Sequence, residues 1–182
     1  FEFYLFNEAE INNGKYSAGY RFTSNENKED LPVGYLDADG TAVEQRKGYH
    51  IDTPFDKHAQ VRQEMVRLIE GAPCPIRSHH HEVGLSGQQE IENELLPYEL
   101  IAVMMMFVKD IVQNCALKNG LTASFMPMPL FDEPGNGMHF NILLRKGGRN
   151  VFYQEGGYSN LSDTALCFIG GILAHGRSLT AF

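Results

Sequence analysis

The opening stretch FEFYLF alternates so that Glu2, Tyr4 and Phe6 fall on one face of an extended chain and Phe1, Phe3 and Leu5 on the other. Its aromatic content suits a strand, one that carries a single acid in apolar surroundings. From Asn12 to Gly48 the chain is rich in Asn, Gly, Asp and Lys, which predicts loops and short strands with a turn at Asp39 and Gly40. The period then becomes helical. Thr53 is placed as an N-cap and Pro54 at the first helical position. Val61, Met65, Leu68 and Ile69 form an apolar stripe, and Gly71 closes the segment. A second helix is predicted over Pro97 to Lys118, with Leu100, Met104, Phe107, Val108, Ile111 and Cys115 on one stripe and Gly120 as its stop. The run Met104, Met105, Met106 reads as core filler.

Two extended pieces follow, LTASFMPMPLF and GMHFNILLR, separated by the turn-forming residues Asp132 to Gly137. A last helix is expected from Ser162, a good N-cap, through Ala165, Leu166, Ile169, Ile172 and Leu173. Strands and helices alternate irregularly, which predicts an α+β fold and not a doubly wound parallel sheet.

Composition narrows the classes. With 182 residues and 43% hydrophobic content the chain can bury one sizeable core, so one domain is expected. Fifteen basic against 23 acidic residues give a net charge of −8, with no basic stripe interleaved with aromatics, and nucleic acid is disfavoured as a partner. Cys74, Cys115 and Cys167 are widely spaced and odd in number, which reads as reduced thiols in a cytoplasmic protein. The longest apolar run, Ile101 to Val108, is too short to span a bilayer and no signal peptide is recognisable, so no membrane partner is expected. The chain opens within a strand and without Met, as a piece of a longer protein would.

Chemistry concentrates in HHHEVGLSGQQEIE, His79 to Glu92. As a hairpin, alternation sends His79 and His81 to one face and His80 and Glu82 to the other. An odd-length turn centred on Ser86 would set Glu82 opposite Glu90 on a shared face, and like charges so placed call for something positive between them. A four-residue turn would separate them. Two histidines at most converge, and the helical HExxH spacing of zinc hydrolases is absent. A carboxylate-dominated cluster suits Mg²⁺ or Mn²⁺. Two further stretches add to it. His139, Asn141 and Leu143 share a face directly after the loop DEPGNG, and Glu2 is an acid whose burial without a partner would be costly.

The succession EFxLF, HHHEVxxxGQxEI, TASFMPMPLF with GxGMH, then LSDTALCFIGGIL resembles the catalytic domain of glutamine synthetases, most closely the type I, bacterial-style branch, from Phe1 to Phe182. The resemblance implies an antiparallel-rich curved sheet with flanking helices. It also implies that residues 1–182 are part of a single catalytic domain whose C-terminal part, and a small N-terminal domain, lie outside the chain. Glu2, Glu82 and Glu90 match the glutamates that bind one divalent cation in the family, and His139 matches a ligand of the second. The other two second-site ligands lie outside this chain. His80 is expected near the phosphates of ATP. The implied activity is ATP-dependent amide formation on the γ-carboxylate of glutamate, with ammonia as acceptor and Mg²⁺ or Mn²⁺ as cofactors. The implied assembly is a homo-oligomer, a double-ring dodecamer.

The departures from the family pattern are local. Pro134 and Gly135 stand where an Asn-Gly pair helps bind the substrate amino acid, and Asn141 and Leu143 replace a His and a Ser that contact the nucleotide. Arg77 takes the place of an acid ahead of the histidine run. These changes imply a divergent member. Its alternatives are a γ-glutamyl ligase for another amine, or a paralogue that kept the fold and cation site without catalysis.

Overall fold

The structure, a computed structural model, describes residues 1–26, 47–84 and 86–180. The turn expected at Asp39 and Gly40 lies outside the described residues. The chain forms two compact units, Phe1–His139 and Phe140–Phe182.

In the first unit the opening alternation becomes strand β1, Glu2–Phe6, at the middle of an antiparallel sheet. Strands β2, Glu8–Asn13, and β3, Ala18–Thr23, pair as a separate ribbon. Helix α1, Ala59–Glu70, leads into β4, Ile76–His81, and β5, Gln88–Asn93. Helix α2, Tyr98–Lys118, is followed by the short strand β6, Thr122–Ser124. The sheet order is β4-β5-β1-β6. Phe3 and Leu5 on one face of β1 enter a core with Met65, Ile69, Ile91, Val108 and Val112. The opposite face carries Glu2, Tyr4 and Phe6. There Tyr4 stacks on Phe6 at 5.4 Å and Phe6 on Phe22 of the ribbon at 4.2 Å. Both faces of β1 are therefore covered, and the alternation sorts an apolar face from a mixed one.

Several elements depart from the pattern. Helix α1 starts at Ala59 and not at Thr53: residues 52–56 close as turns, with Phe55 and Asp56 N–H donating to Asp52 O. Asp56 and His58 are instead drawn into the interior, where Asp56 pairs with Arg62 at 2.7 Å. Tertiary pairing thus overrides a local cap signal. The end at Gly71 and the α2 span with its stop near Gly120 agree with the pattern. Within α2 the buried residues are Val108, Val112, Cys115 and Ala116, while Leu100 is exposed; of the methionine run, Met104 packs on the core and Met106 is 75% exposed. At 21 residues α2 is long and apolar enough to cross a membrane by length and composition, but its C-terminal half builds the core of this unit.

LTASFMPMPLF is a strand only over β6, since Pro127 and Pro129 lack the N–H a ladder needs. GMHFNILLR is not a strand until Arg145. In the second unit, β7, Arg145–Lys146, pairs with β8, Arg149–Asn150, around Gly147 and Gly148, both at positive φ. Helix α3, Asp163–Ala174, begins as expected: Ser162 Oγ accepts the Ala165 N–H at 3.1 Å. A one-turn helix α4, Gly176–Leu179, follows. The three cysteines are unpaired thiols.

Met65 is fully buried and Met106 is not, which sets up a contrast. Met65→Ala is expected to lower unfolding free energy by about 2–5 kcal/mol, the range for truncating a buried Met, and Met106→Ala by less than about 0.5 kcal/mol. Urea unfolding followed by circular dichroism compares them, and equal losses would place the core elsewhere.

Candidate metal centre

Strand register decides which side chains meet. β4 and β5 pair His79 with Ile91, His80 with Glu90 and His81 with Gln89, and the Glu82 N–H donates to Gln88 O at 2.8 Å. The turn is odd in length, as the shared face requires, but is centred one residue before Ser86. Glu90 therefore faces His80, not Glu82, and Glu82 sits diagonally from it. The reason is tertiary: the Gly87 carbonyl accepts from Leu5 N–H, which draws the turn toward β1, and Ser86 and Gly87 take positive φ to allow it. Parity is preserved, so both carboxylates still point to one face.

β1 extends the row, because Glu2 is the register partner of Glu90. His80, Glu90 and Glu2 thus run across three adjacent strands. His80 Nε2 lies 3.4 Å from Glu90 Oε2 and His80 Nδ1 3.8 Å from Glu82 Oε1. His139, after the 132–137 loop, brings Nε2 to 3.8 Å from Glu2 Oε1. Two trios have donor atoms within 4.8 Å of one another: Glu2, Glu90 and His139, and His80, Glu82 and Glu90. Glu90 is common to both. The grouping differs from the expected Glu2, Glu82 and Glu90 set with His139 apart, although the same four residues and His80 are gathered.

The carboxylates are mostly covered, with side chains 11–12% exposed. Burial pushes the Glu82 carboxyl above its ordinary range, and the charges of Glu2 and Glu90 add to this against the Val83 N–H bond. Burial, with the charges of Glu133, Glu2 and Glu82, likewise drives the Tyr4 phenol well above its usual value, so it remains a donor. Three oxygen-bearing acids and two imidazoles on one face are a donor set for a hard divalent cation.

The neighbouring histidines do other work. His81 is fully buried between Glu26 Oε2 at 3.0 Å and Glu82 O at 2.7 Å; burial alone would lower it, and the Glu26 bond and charge hold it above its usual value. Burial, then Arg62, hold His79 low, and its Nδ1 accepts from Arg62 Nε at 3.2 Å. Both belong to the reverse face of the hairpin, as alternation predicted.

The 134–137 loop abuts the row. Tyr4 Oη donates to Pro134 O at 2.6 Å, Gln88 Nε2 to Gly135 O at 3.0 Å, and Gly137 N–H to Glu2 Oε2 at 2.9 Å. A Cβ at Gly137 would displace the His139 ring from its place beside Glu2 Oε1. Asn136 Nδ2 is spent on Ser124 O and Met126 O. Asn141 is exposed and Leu143 half-buried in the second unit.

Sequence reasoning missed Gln88, Tyr4 and the segment at Tyr49 and His50. The first two share the parity of the acids and were open to discovery by alternation alone. The third was not. His50, at φ 57°, packs its ring at a tilt against His80 with ring centres 4.2 Å apart, and its N–H donates to His81 O at 3.0 Å.

With this geometry in hand, the comparisons with known proteins are specific. The family model for the catalytic domain of glutamine synthetase matches residues 1–182. The chain is 37% identical over 182 residues to the glutamine synthetase of Haemophilus influenzae, covering all of this chain and 38% of that protein. It is 43% identical over 143 residues to that of Streptomyces coelicolor, covering 79% of this chain and 30% of that protein. The cryo-EM structure of Plasmodium falciparum glutamine synthetase superposes with a TM-score of 0.84 at 28% identity, over 100% of this chain and 36% of that one. The chain thus spans well under half the length of the relatives it matches.

The raised Glu82 carboxyl has a thermodynamic sign. Its contribution to stability is present below the ordinary carboxylate range and is lost as pH rises through the raised folded value. Glu82→Gln is therefore expected to raise the melting temperature at pH 8 in the absence of divalent cation, by about 2–4 °C per kcal/mol of relieved repulsion. The same change should shrink the increment that Mn²⁺ adds. Scanning calorimetry with and without Mn²⁺ reads both. A variant that melts lower and keeps the full increment would remove Glu82 from the ligand set.

Proposed function

The chain belongs to the glutamine synthetase family, as part of its catalytic domain, and we propose that the protein carrying it is an ATP-dependent ligase forming an amide on the γ-carboxylate of glutamate. The observation that carries this reading is the row Glu2, Glu90 and His80, with Glu82 diagonal and His139 at its end. Glu2, Glu82 and Glu90 would hold one divalent cation and His139 would contribute to a second, with Mg²⁺ or Mn²⁺ the fitting ions. Bound there, the cations would neutralise charge on the triphosphate and the reacting carboxylate.

The chain's own residues supply positioning. The glutamate γ-carboxylate attacks the γ-phosphate of ATP, releasing ADP, and ammonia then displaces phosphate from γ-glutamyl phosphate to give the amide. Gly135 and the Pro134 carbonyl line the amino-acid side of this reading, and His80 the phosphate side. Asn141 and Leu143 would meet the nucleotide. Cytoplasmic location and a double-ring homo-oligomer belong to the same proposal.

One observation favours a second reading. Position 134 has no side-chain amide, and in Asn136 the NH₂ donates to Ser124 O and Met126 O while Oδ1 accepts from Gln88 Nε2. The loop therefore has no side-chain amide left over for an amino-acid substrate. A γ-glutamyl ligase for another amine, or a paralogue without catalysis, fits that change.

Phosphate release from ATP and glutamate, measured on the whole protein across a panel of amines, separates these readings. Ammonia best by a wide margin supports ordinary glutamine synthesis, another amine supports the divergent ligase, and no amine-dependent release supports the non-catalytic paralogue. Residues 1–182 alone are expected to bind Mn²⁺ weakly and to form no γ-glutamyl product, because phosphoryl transfer depends on positioning by the full constellation. Product above a metal-only control would show that ligands within this chain suffice.

A further inference from the structure

Gln88 is not a member of either donor trio, yet its side chain is fully buried beside them. It lies two residues from Glu90 on β5, and therefore on the same face. Its Oε1 accepts the Gly84 N–H at 2.7 Å, which fixes the amide orientation and turns the NH₂ toward the loop. Three acceptors converge on that nitrogen: Gly135 O at 3.0 Å, Asn136 Oδ1 at 3.3 Å and Glu2 Oε2 at 3.4 Å. Two N–H bonds shared among three oxygens make Gln88 the donor that lets those acceptors sit together.

Glu2 is held from the other side as well. Its Oε2 receives the Gly137 N–H at 2.9 Å, and its own N–H donates to Gly137 O at 3.1 Å. With Oε2 engaged by both donors, Oε1 is the oxygen left facing His139. A carboxylate clamped in this way has lost most of its rotamer freedom before any cation arrives.

We propose that Gln88 is a positioning residue that fastens Glu2 and the 135–137 segment into one unit, coupling divalent-cation binding at Glu2 to the conformation of that segment. The proposal rests on the reading of Glu2 as a cation ligand. By linkage, whatever shifts the segment also shifts cation affinity, and cation binding stiffens the segment in return.

Charge and position predict opposite signs for one substitution, which makes the test decisive. Gln88→Glu keeps an oxygen for the Gly84 N–H but replaces the NH₂ with a carboxylate oxygen facing three acceptors. If local charge alone governed affinity, a further carboxylate would tighten Mn²⁺ binding. Loss of positioning would weaken it, by about 10-fold or more. Mn²⁺ affinity of the 182-residue chain, read from the electron paramagnetic resonance signal of the free ion, is expected to fall. Hydrogen-exchange protection of the Gly137 amide should be lost while that of Leu5, bonded to Gly87 O, is retained.

Gln88→Met, similar in length and uncharged, is expected to act in the same direction and decides the matter if the Glu variant does not fold. Tighter or unchanged Mn²⁺ binding with Gly137 still protected overturns the proposal. A parent chain that binds no Mn²⁺ overturns the cation reading itself, whereas normal parent binding with indifferent variants overturns only the role of Gln88.

Discussion

Like charge gathered on one row of a sheet is the constraint on which this molecule depends. Glu2 and Glu90 are register partners, and Glu82 lies diagonally across the hairpin. Ionised carboxylates gathered this closely repel one another, and partial burial leaves less water to screen them. A sheet left to choose its pairs would not oppose two acids in this way. The surroundings hold them there: His80 stands between Glu82 and Glu90, His139 beside Glu2, and backbone N–H groups of Val83 and Gly137 point at carboxylate oxygens. In the proposed reading, a divalent cation bound among these residues would offset that repulsion.

The reverse face of the hairpin makes the arrangement rigid. Arg62 of α1 is almost buried, pairs with Asp56, donates to His79 and bonds Gln89 Oε1. Leaving that guanidinium without partners would cost several kcal/mol, so the helix and the hairpin are fixed in register together. His81 with Glu26 adds a second buried pair behind Glu82. Beyond the register shift between Ile76 and Ser78, the odd residues of β4 and β5 thus serve the scaffold and the even residues the cluster. A slip of one position would exchange the two sets.

The 134–137 loop abuts this row. Pro134 contributes a carbonyl that Tyr4 grips, and Asn136 caps carbonyls at the end of β6. The loop is thus anchored to the sheet through backbone carbonyls and one side-chain amide.

Much of this was legible from residue order alone. Period-two alternation placed Glu2 and Tyr4 on one face of β1 and separated His80 from His79 and His81. Helical period and the Gly stops located α2 and the end of α1, and Ser162 announced α3. These signals are local, so short-range chemistry suffices to read them. Tertiary structure alone decided the rest. It moved the start of α1 to Ala59, because Asp56 found Arg62. It shifted the hairpin centre by one residue, because Gly87 bonds Leu5 of β1. It also brought Tyr49 and His50 against His80 and made Gln88 a shared donor. Each of these depends on partners far away in sequence, and a pattern read along one chain carries no information about which distant carbonyl or charge will arrive beside it.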